Sequence, residues 1–283
     1  MANDYLGIVT ADRLRDSIYQ KRIISDVLFE AQGYGNLNHD RIVRRWAIEN
    51  ATRVTIPSMS AVQITPDLAE LESADVKSPA FSGIEATLKA DELKIAFSDE
   101  SMMNQSVANP MELARIDGAI GFARTLDNKI ATQLDTTPQT LAAWDPTTSS
   151  FLGLAAQATA LFGNYRITGI AVGVEAHNTI MANMYAGANR TNMVVMQDGI
   201  PYLPGYTNVP IIESTSLQQD AIYFVSTEVP GVYVLTGEFK TRVYDDPLTR
   251  STVLQSDVYN AVVGNIRQTA GDLNQGVVKV ELA

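Results

Sequence analysis

Cysteine is absent from all 283 residues, and histidine occurs only twice, at His39 and His177. The first absence excludes disulfide frameworks, thiolate zinc sites, iron–sulfur clusters and cysteine nucleophiles. The second leaves any metal site dependent on carboxylates, and the two histidines lie far apart in the chain. Long apolar runs are also missing: no stretch approaches the roughly 20 residues that a membrane-spanning helix needs. Residues 1–10, MANDYLGIVT, lack the charged and apolar regions of a signal peptide. The expectation is a soluble chain made in a cytoplasm, with no membrane partner. Basic charge is scarce, with 21 Lys and Arg against 32 Asp and Glu, for a net charge of −11. Such a protein does not attract nucleic acid by net charge, because binding needs cations that displace counterions from phosphates. With 46% apolar and 19% charged residues, the chain has what a buried core requires and lies outside the disordered class.

Catalytic signatures are missing too. No HExxH, GxSxG or GxxxxGK[ST] pattern occurs. Gly33-Tyr34-Gly35 begins like a dinucleotide loop, but Asn36-Leu37-Asn38 follows and no third glycine arrives, so it reads as a turn. Asp99-Glu100 follows Ser98 where a helix would start, a place where carboxylates complement the helix dipole. Asp245-Asp246-Pro247 is a turn signal. Asp67, Glu70, Glu72 and Asp75 lie in a polar, proline-flanked stretch and read as a solvated loop. Sequons at Asn50, Asn104 and Asn189 have no secretion route to serve. No catalytic, metal or cofactor site is expected, and the chain does not read as an enzyme.

What is present is an ordered series of elements. Leu14, Ile18, Ile23, Ile24, Val27 and Leu28 predict an amphipathic helix over 10–30. A second short helix is predicted over 39–50, with Arg41, Arg44 and Arg45. Residues 53–64 read as a strand with a bulge or bend at Pro57. Ala86 and Leu88, then Leu93, Ile95 and Phe97, show period two on either side of Ala90-Asp91-Glu92, which predicts a hairpin turning there. Such a hairpin is marginally stable alone and needs another surface to lie on. Residues 98–106 read as a short capped helix. Asn109-Pro110 then opens a long amphipathic helix of roughly 25 residues, with Leu113, Ile116, Ile120, Ala123, Leu126, Ile130 and Leu134 on one stripe. Helix over 151–162, strand over 167–174 and helix over 175–185 follow. Strands are expected at 209–212, 221–225, 232–235, 241–244, 252–266 and 276–282, the one at 252–266 long enough to carry a bulge. The class is α+β.

Several of these stretches carry a resemblance. Leu93-Lys94-Ile95-Ala96-Phe97-Ser98-Asp99-Glu100-Ser101-Met102-Met103-Asn104-Gln105-Ser106 resembles a pattern of the HK97-fold major capsid proteins of tailed viruses. There a strand ends in Ser-x-Glu just before a long helix. The helix through Leu126-Asp127 is similar to that family's spine helix. Gly205-Tyr206-Thr207-Asn208-Val209-Pro210-Ile211-Ile212 resembles its A-domain Gly-x-Pro-Val strand. Gly231–Val234, Lys240–Val243 and Gly276–Val280 resemble its closing P-domain strands. The resemblance spans about residues 50–283 and rests on the joint order of the pieces.

The resemblance implies an N-terminal arm over 1–50, a first P-domain strand over 51–60 and an E-loop over 61–97, which in the family lies over a neighbouring subunit. It implies a P-domain with the spine helix over 98–140, an A-domain over 141–230 and P-domain strands over 231–283. The implied function is a shell built from pentamers and hexamers of the chain, enclosing double-stranded DNA without reading its sequence. Portal, scaffold and cement proteins are implied partners, and the virion capsid, assembled in the host cytoplasm, is the implied location. Some relatives carry a scaffold domain ahead of the arm; here Met1 opens on an arm alone, so separate scaffolding or none is expected. Some relatives also form an intersubunit Lys–Asn isopeptide bond with help from a Glu. The corresponding positions here are Gly83, Asp257 and Gly264, so no such cross-link is expected, although Lys77 and Lys89 are near. Glu92 and Lys94 on the hairpin, with Arg115, Arg124 and Lys129 on the helix, are the candidate assembly contacts. The alternatives are an encapsulin-like nanocompartment shell and a soluble α/β enzyme or ligand-binding protein.

Overall fold

The computed structural model describes residues 36–49, 51–59, 81–98, 110–137, 139–163, 165–186, 195–197, 200–203, 209–228, 231–264 and 276–283. The helices expected over 10–30 and 98–106, the Gly33-Tyr34-Gly35 turn, Asn109 and the Gly205–Asn208 part of the A-domain motif lie outside these residues, apart from Ser98.

Two four-stranded sheets organise the described chain. The first has the order β1-β10-β11-β4, built from β1 (Arg44–Ala47), β4 (Lys89–Ser98), β10 (Val232–Asp246) and β11 (Ser251–Gly264). The second has the order β12-β9-β5-β8, built from β5 (Gly169–Val172), β8 (Ile211–Glu213), β9 (Ala221–Val225) and β12 (Val277–Glu281). Two-stranded ribbons are formed by β2 (Arg53–Met59) with β3 (Phe81–Thr87), and by β6 (Val195–Gln197) with β7 (Ile200–Tyr202).

Helix α1 (Pro110–Asp135) is 26 residues long, about 39 Å at the usual rise. Its C-terminal half places Ala123, Ile130, Ala131 and Leu134 in the interior, while Arg124, Asn128 and Thr132 face solvent. Helix α2 (Phe151–Phe162) starts where expected because the Ser150 side chain accepts the Gly153 N–H at 3.2 Å. It ends at Gly163, whose φ of 65° suits a residue without Cβ. Helix α3 (Val174–Ala186) follows Gly173, where an added Cβ would lie 1.9 Å from the Gln218 carbonyl oxygen.

The second sheet is buried on both faces. Along β9, Ile222 and Phe224 point toward α2 and α3, joining Phe151, Phe162, Ile170, Ile180, Val278 and Val280. The alternate residues Ala221, Tyr223 and Val225 point the other way, joining Ile130 and Leu134 of α1 with Leu37, Ile42 and Val43. Period-two alternation between two apolar layers is why 221–225 reads as a continuous apolar run. Phe151 stacks near Phe224 at a centroid distance of 6.0 Å and tilts against Trp144 at 5.5 Å.

Asp127 fixes the segment 36–38 to α1. Its carboxylate accepts the N–H of Asn36 at 2.9 Å and of Leu37 at 3.2 Å, although only 6% of the residue is exposed. Burial pushes this carboxyl above its ordinary value, and the backbone N–H bonds partly offset the rise.

Three expectations are corrected. Residues 39–50 are not a helix: turn residues lead into β1, which adds in parallel to the edge of β10, with Trp46 opposite Leu235. Backbone pairing outweighs the helical spacing of its arginines. Ala90-Asp91-Glu92 is not a turn: β4 runs straight through it, paired with Tyr259, Val258 and Asp257 of β11. The hairpin is instead β2 with β3, joined through 60–80, and its register passes Pro57 opposite Gly83 without a shift. Within 231–283, β10 and β11 pair in the first sheet, while β12 pairs with β9 in the second.

Candidate assembly surface

The hairpin and the first sheet carry the surfaces that the second sheet lacks. Ile56 and Ala86 at the hairpin base pack on Leu235, with Val54, Ile48, Tyr233, Ala261 and Val263 around them. The Leu88 N–H donates to the Thr52 carbonyl at 2.9 Å, closing the base. These contacts run from the open end, at Arg53 and Thr87, to the middle of the ribbon at Ile56; the loop end is at Met59 and Phe81.

A bulge between Thr236 and Phe239 resets the faces of β10 beside this base. A Cβ on Gly237, inside it, would lie 2.6 Å from Leu88 Cδ2. Before the bulge, Tyr233 and Leu235 face the hairpin. After it, Lys240, Arg242 and Tyr244 occupy the same face, in register with Asp257, Gln255 and Val253 of β11 and then Glu92, Lys94 and Ala96 of β4. The face away from α1 is therefore apolar under the hairpin and mixed in charge beyond it. Lys94 lies over the Tyr244 ring at 5.7 Å and Lys240 over the Tyr259 ring at 5.5 Å. The hydrogen bond with Tyr244, then that residue's charge, holds the Lys94 ammonium above its ordinary pKa.

Beside the hairpin base, Arg44, Arg45, Trp46, Ile56 and Tyr233 line an open crevice of about 350 Å³. Trp46 is 46% exposed there. This crevice escaped the sequence reading. Its one signal was an aromatic next to paired arginines, which a helical assignment scattered around an axis.

The sequence candidates separate into three groups. Glu92, Lys94 and Arg124 are exposed, the first two on the mixed face and the third on α1. Lys129 is held within the chain, with Nζ 2.6 Å from Asp91 Oδ2 and 2.7 Å from Asn260 Oδ1. The side chain of Arg115 lies outside the described residues. Of the three positions aligned with the family cross-link, Gly83 is on β3 opposite Pro57, and Asp257 is buried on β11. The N–H of Gly264, at the end of β11, donates to Gln133 Oε1 at 2.9 Å.

Both histidines have structural partners. His39 Nδ1 accepts the Arg41 N–H at 3.1 Å, and burial lowers its pKa. His177 Nδ1 lies 2.8 Å from Glu213 Oε2. Among the described residues no cluster of His, Asp and Glu is arranged to hold a metal, and no helix is long and apolar enough to cross a membrane.

No protein-family model and no curated protein matches the sequence. Solved structures do match. The capsid of a native GTA particle superposes with a TM-score of 0.63 at 10% identity, covering 90% of this chain and 90% of that one. The capsid of Ralstonia phage GP4 gives 0.59 at 9% identity, covering 87% and 88%. A virus-like particle from Pyrococcus furiosus gives 0.58 at 8% identity, covering 93% and 99%. At such identities the likeness resides in the order and pairing of the elements, and by that measure the chain has the HK97-like fold of the phage capsids.

Proposed function

We propose that the chain is the major capsid protein of a tailed virus or prophage, and that it tiles an icosahedral shell as pentamers and hexamers around double-stranded DNA. The hairpin carries this reading. Two strands alone are marginally stable in water, and among the described residues the packing contacts of β2 and β3 with the body involve Val54, Ile56 and Ala86. A second copy of the chain supplies the missing surface, with the hairpin acting as an E-loop. Heterologous contacts of this kind close into rings when the rotation between copies is fixed. The net charge of −11 suits a wall that encloses DNA without gripping it. Portal, scaffold and cement proteins are the further partners this role entails, and the host cytoplasm is the place of assembly. The role is structural and requires no catalysis.

No intersubunit isopeptide bond joins the copies in this reading, because Gly83, Asp257 and Gly264 supply neither the amine nor the amide. Purified shells boiled in detergent are expected to run as a single band; a high-mass ladder would overturn this part. Closed particles holding nuclease-protected DNA are the expected outcome for the whole proposal. Particles holding a protein cargo would favour an encapsulin-like shell, a reading supported by the likeness to the virus-like particle.

A further inference from the structure

Lys129, Asp91 and Asn260 come together from α1, β4 and β11. Lys129 Nζ lies 2.8 and 2.6 Å from the two Asp91 carboxylate oxygens and 2.7 Å from Asn260 Oδ1. Asn260 Nδ2 donates to Asp91 Oδ2 at 2.7 Å. One carboxylate therefore touches both an amine and the amide nitrogen of a carboxamide, while the amine touches the carbonyl oxygen of that same carboxamide. With a C=O length of about 1.23 Å, Asn260 Cγ lies within about 4 Å of Nζ, close to attack distance. Asn260 is 5% exposed, and the Lys129 and Asp91 side chains retain 33% and 21%. Buried Val258 and half-buried Leu93 lie on the same strand faces as the trio, and Leu126 and Val262 stand one helical turn and two strand residues away.

A plain ion pair accounts for Lys129 with Asp91. It does not require a carboxamide seated against both partners. We infer that Lys129 and Asn260 are positioned to form an intramolecular isopeptide bond, with Asp91 as the proton carrier. Asp91 takes a proton from the Lys129 ammonium, leaving a neutral amine and a carboxylic acid. The amine lone pair attacks Asn260 Cγ, forming the N–C bond and a tetrahedral centre, with the protonated Asp91 beside Nδ2, the leaving nitrogen. Asp91 then relays the proton from the attacking nitrogen to Nδ2, the C–Nδ2 bond breaks, and ammonia leaves. The balance is an amine and a primary amide converted to a secondary amide and ammonia, with no oxidant or co-reactant. The product ties the spine-like helix to the central strand of the first sheet across 131 positions of sequence. It differs from an intersubunit bond in that it leaves the chain a monomer on a denaturing gel.

The test is the intact mass of the denatured full-length chain after prolonged incubation in the folded state. The mass is expected to fall by about 17 Da, the loss of one ammonia, and a digest is expected to yield a branched peptide joining Lys129 to Asn260. Lys129→Arg, Asn260→Ala and Asp91→Ala are each expected at their full calculated mass. The wild-type reading stands even where a variant fails to fold. A wild-type chain at full mass, with Lys129 recovered in an unbranched peptide, would overturn the inference. A loss of ammonia that maps to any other pair would do the same.

Discussion

The two four-stranded sheets share one chain and one helix but are finished differently. In the second sheet, β5 and β9 are buried at every position, with helices on one face and α1 with residues 37–43 on the other. In the first sheet, β1 is exposed at every position, and β4 alternates between residues facing α1 and exposed residues, Glu92 and Lys94 among them, facing outward. The second sheet is complete within one copy. The first carries α1 on one face and, among the described residues, the hairpin on part of the other. In the proposed shell, the contrast separates what folds the chain from what is left for neighbouring copies.

Substitutions in the two regions should therefore part stability from assembly. The largest effect on folding is expected for Phe224→Ala, which opens a cavity between Phe151 and the sheet; it should cost about 3–5 kcal/mol in denaturant unfolding. Asp127→Asn stands between the two regions. It weakens the acceptor that holds Asn36 and Leu37, at a cost of about 1–3 kcal/mol near neutral pH. Its pH dependence has a defined sign. Burial raises the folded-state pKa of Asp127 above that of the unfolded chain, so the folded state binds the proton more tightly. The stability that Asp127 contributes therefore falls as pH rises through its folded pKa and returns on acidification toward the ordinary carboxylate value. The Asn variant should lack this component, so wild type should gain on it as the pH is lowered through that window. Unfolding curves of both proteins across that range check the sign.

Smaller effects on folding should come with larger effects on assembly. Trp46→Ala, in the crevice beside the hairpin base, should change monomer stability by less than about 1 kcal/mol while lowering the yield of particles in sedimentation. Lys94→Ala, on the outward face, should leave the melting curve unchanged and shift only the salt dependence of assembly. A Trp46 variant that unfolds like the Phe224 variant would remove the distinction between the regions.

The elements read well from sequence are those fixed locally. Asn109-Pro110 and the three-and-four spacing through Leu134 gave the long helix, and the compact apolar runs gave α2 and β9 at their observed limits. The elements misread are those fixed by distant partners. Arg44–Ala47 is a strand because β10 offers it an edge, and Asp91 stays in a strand because β11 pairs with it and α1 supplies Lys129. The hairpin was placed one strand too late because β2 and β3 meet across residues 60–80, a pairing that period-two alternation does not reveal. The candidate surface was legible in part. Glu92 and Lys94 lie outward as their alternation implied, but Lys129, equally polar in the helical pattern, turns inward to Asp91.

Electron microscopy of this chain, purified from the cells that produce it, tests the central claim most directly. The account predicts closed icosahedral shells in which this chain is the dominant protein and fivefold and sixfold rings are visible. Recovery of the chain from those cells only as a compact monomer or small oligomer, with no shell containing it, would contradict it.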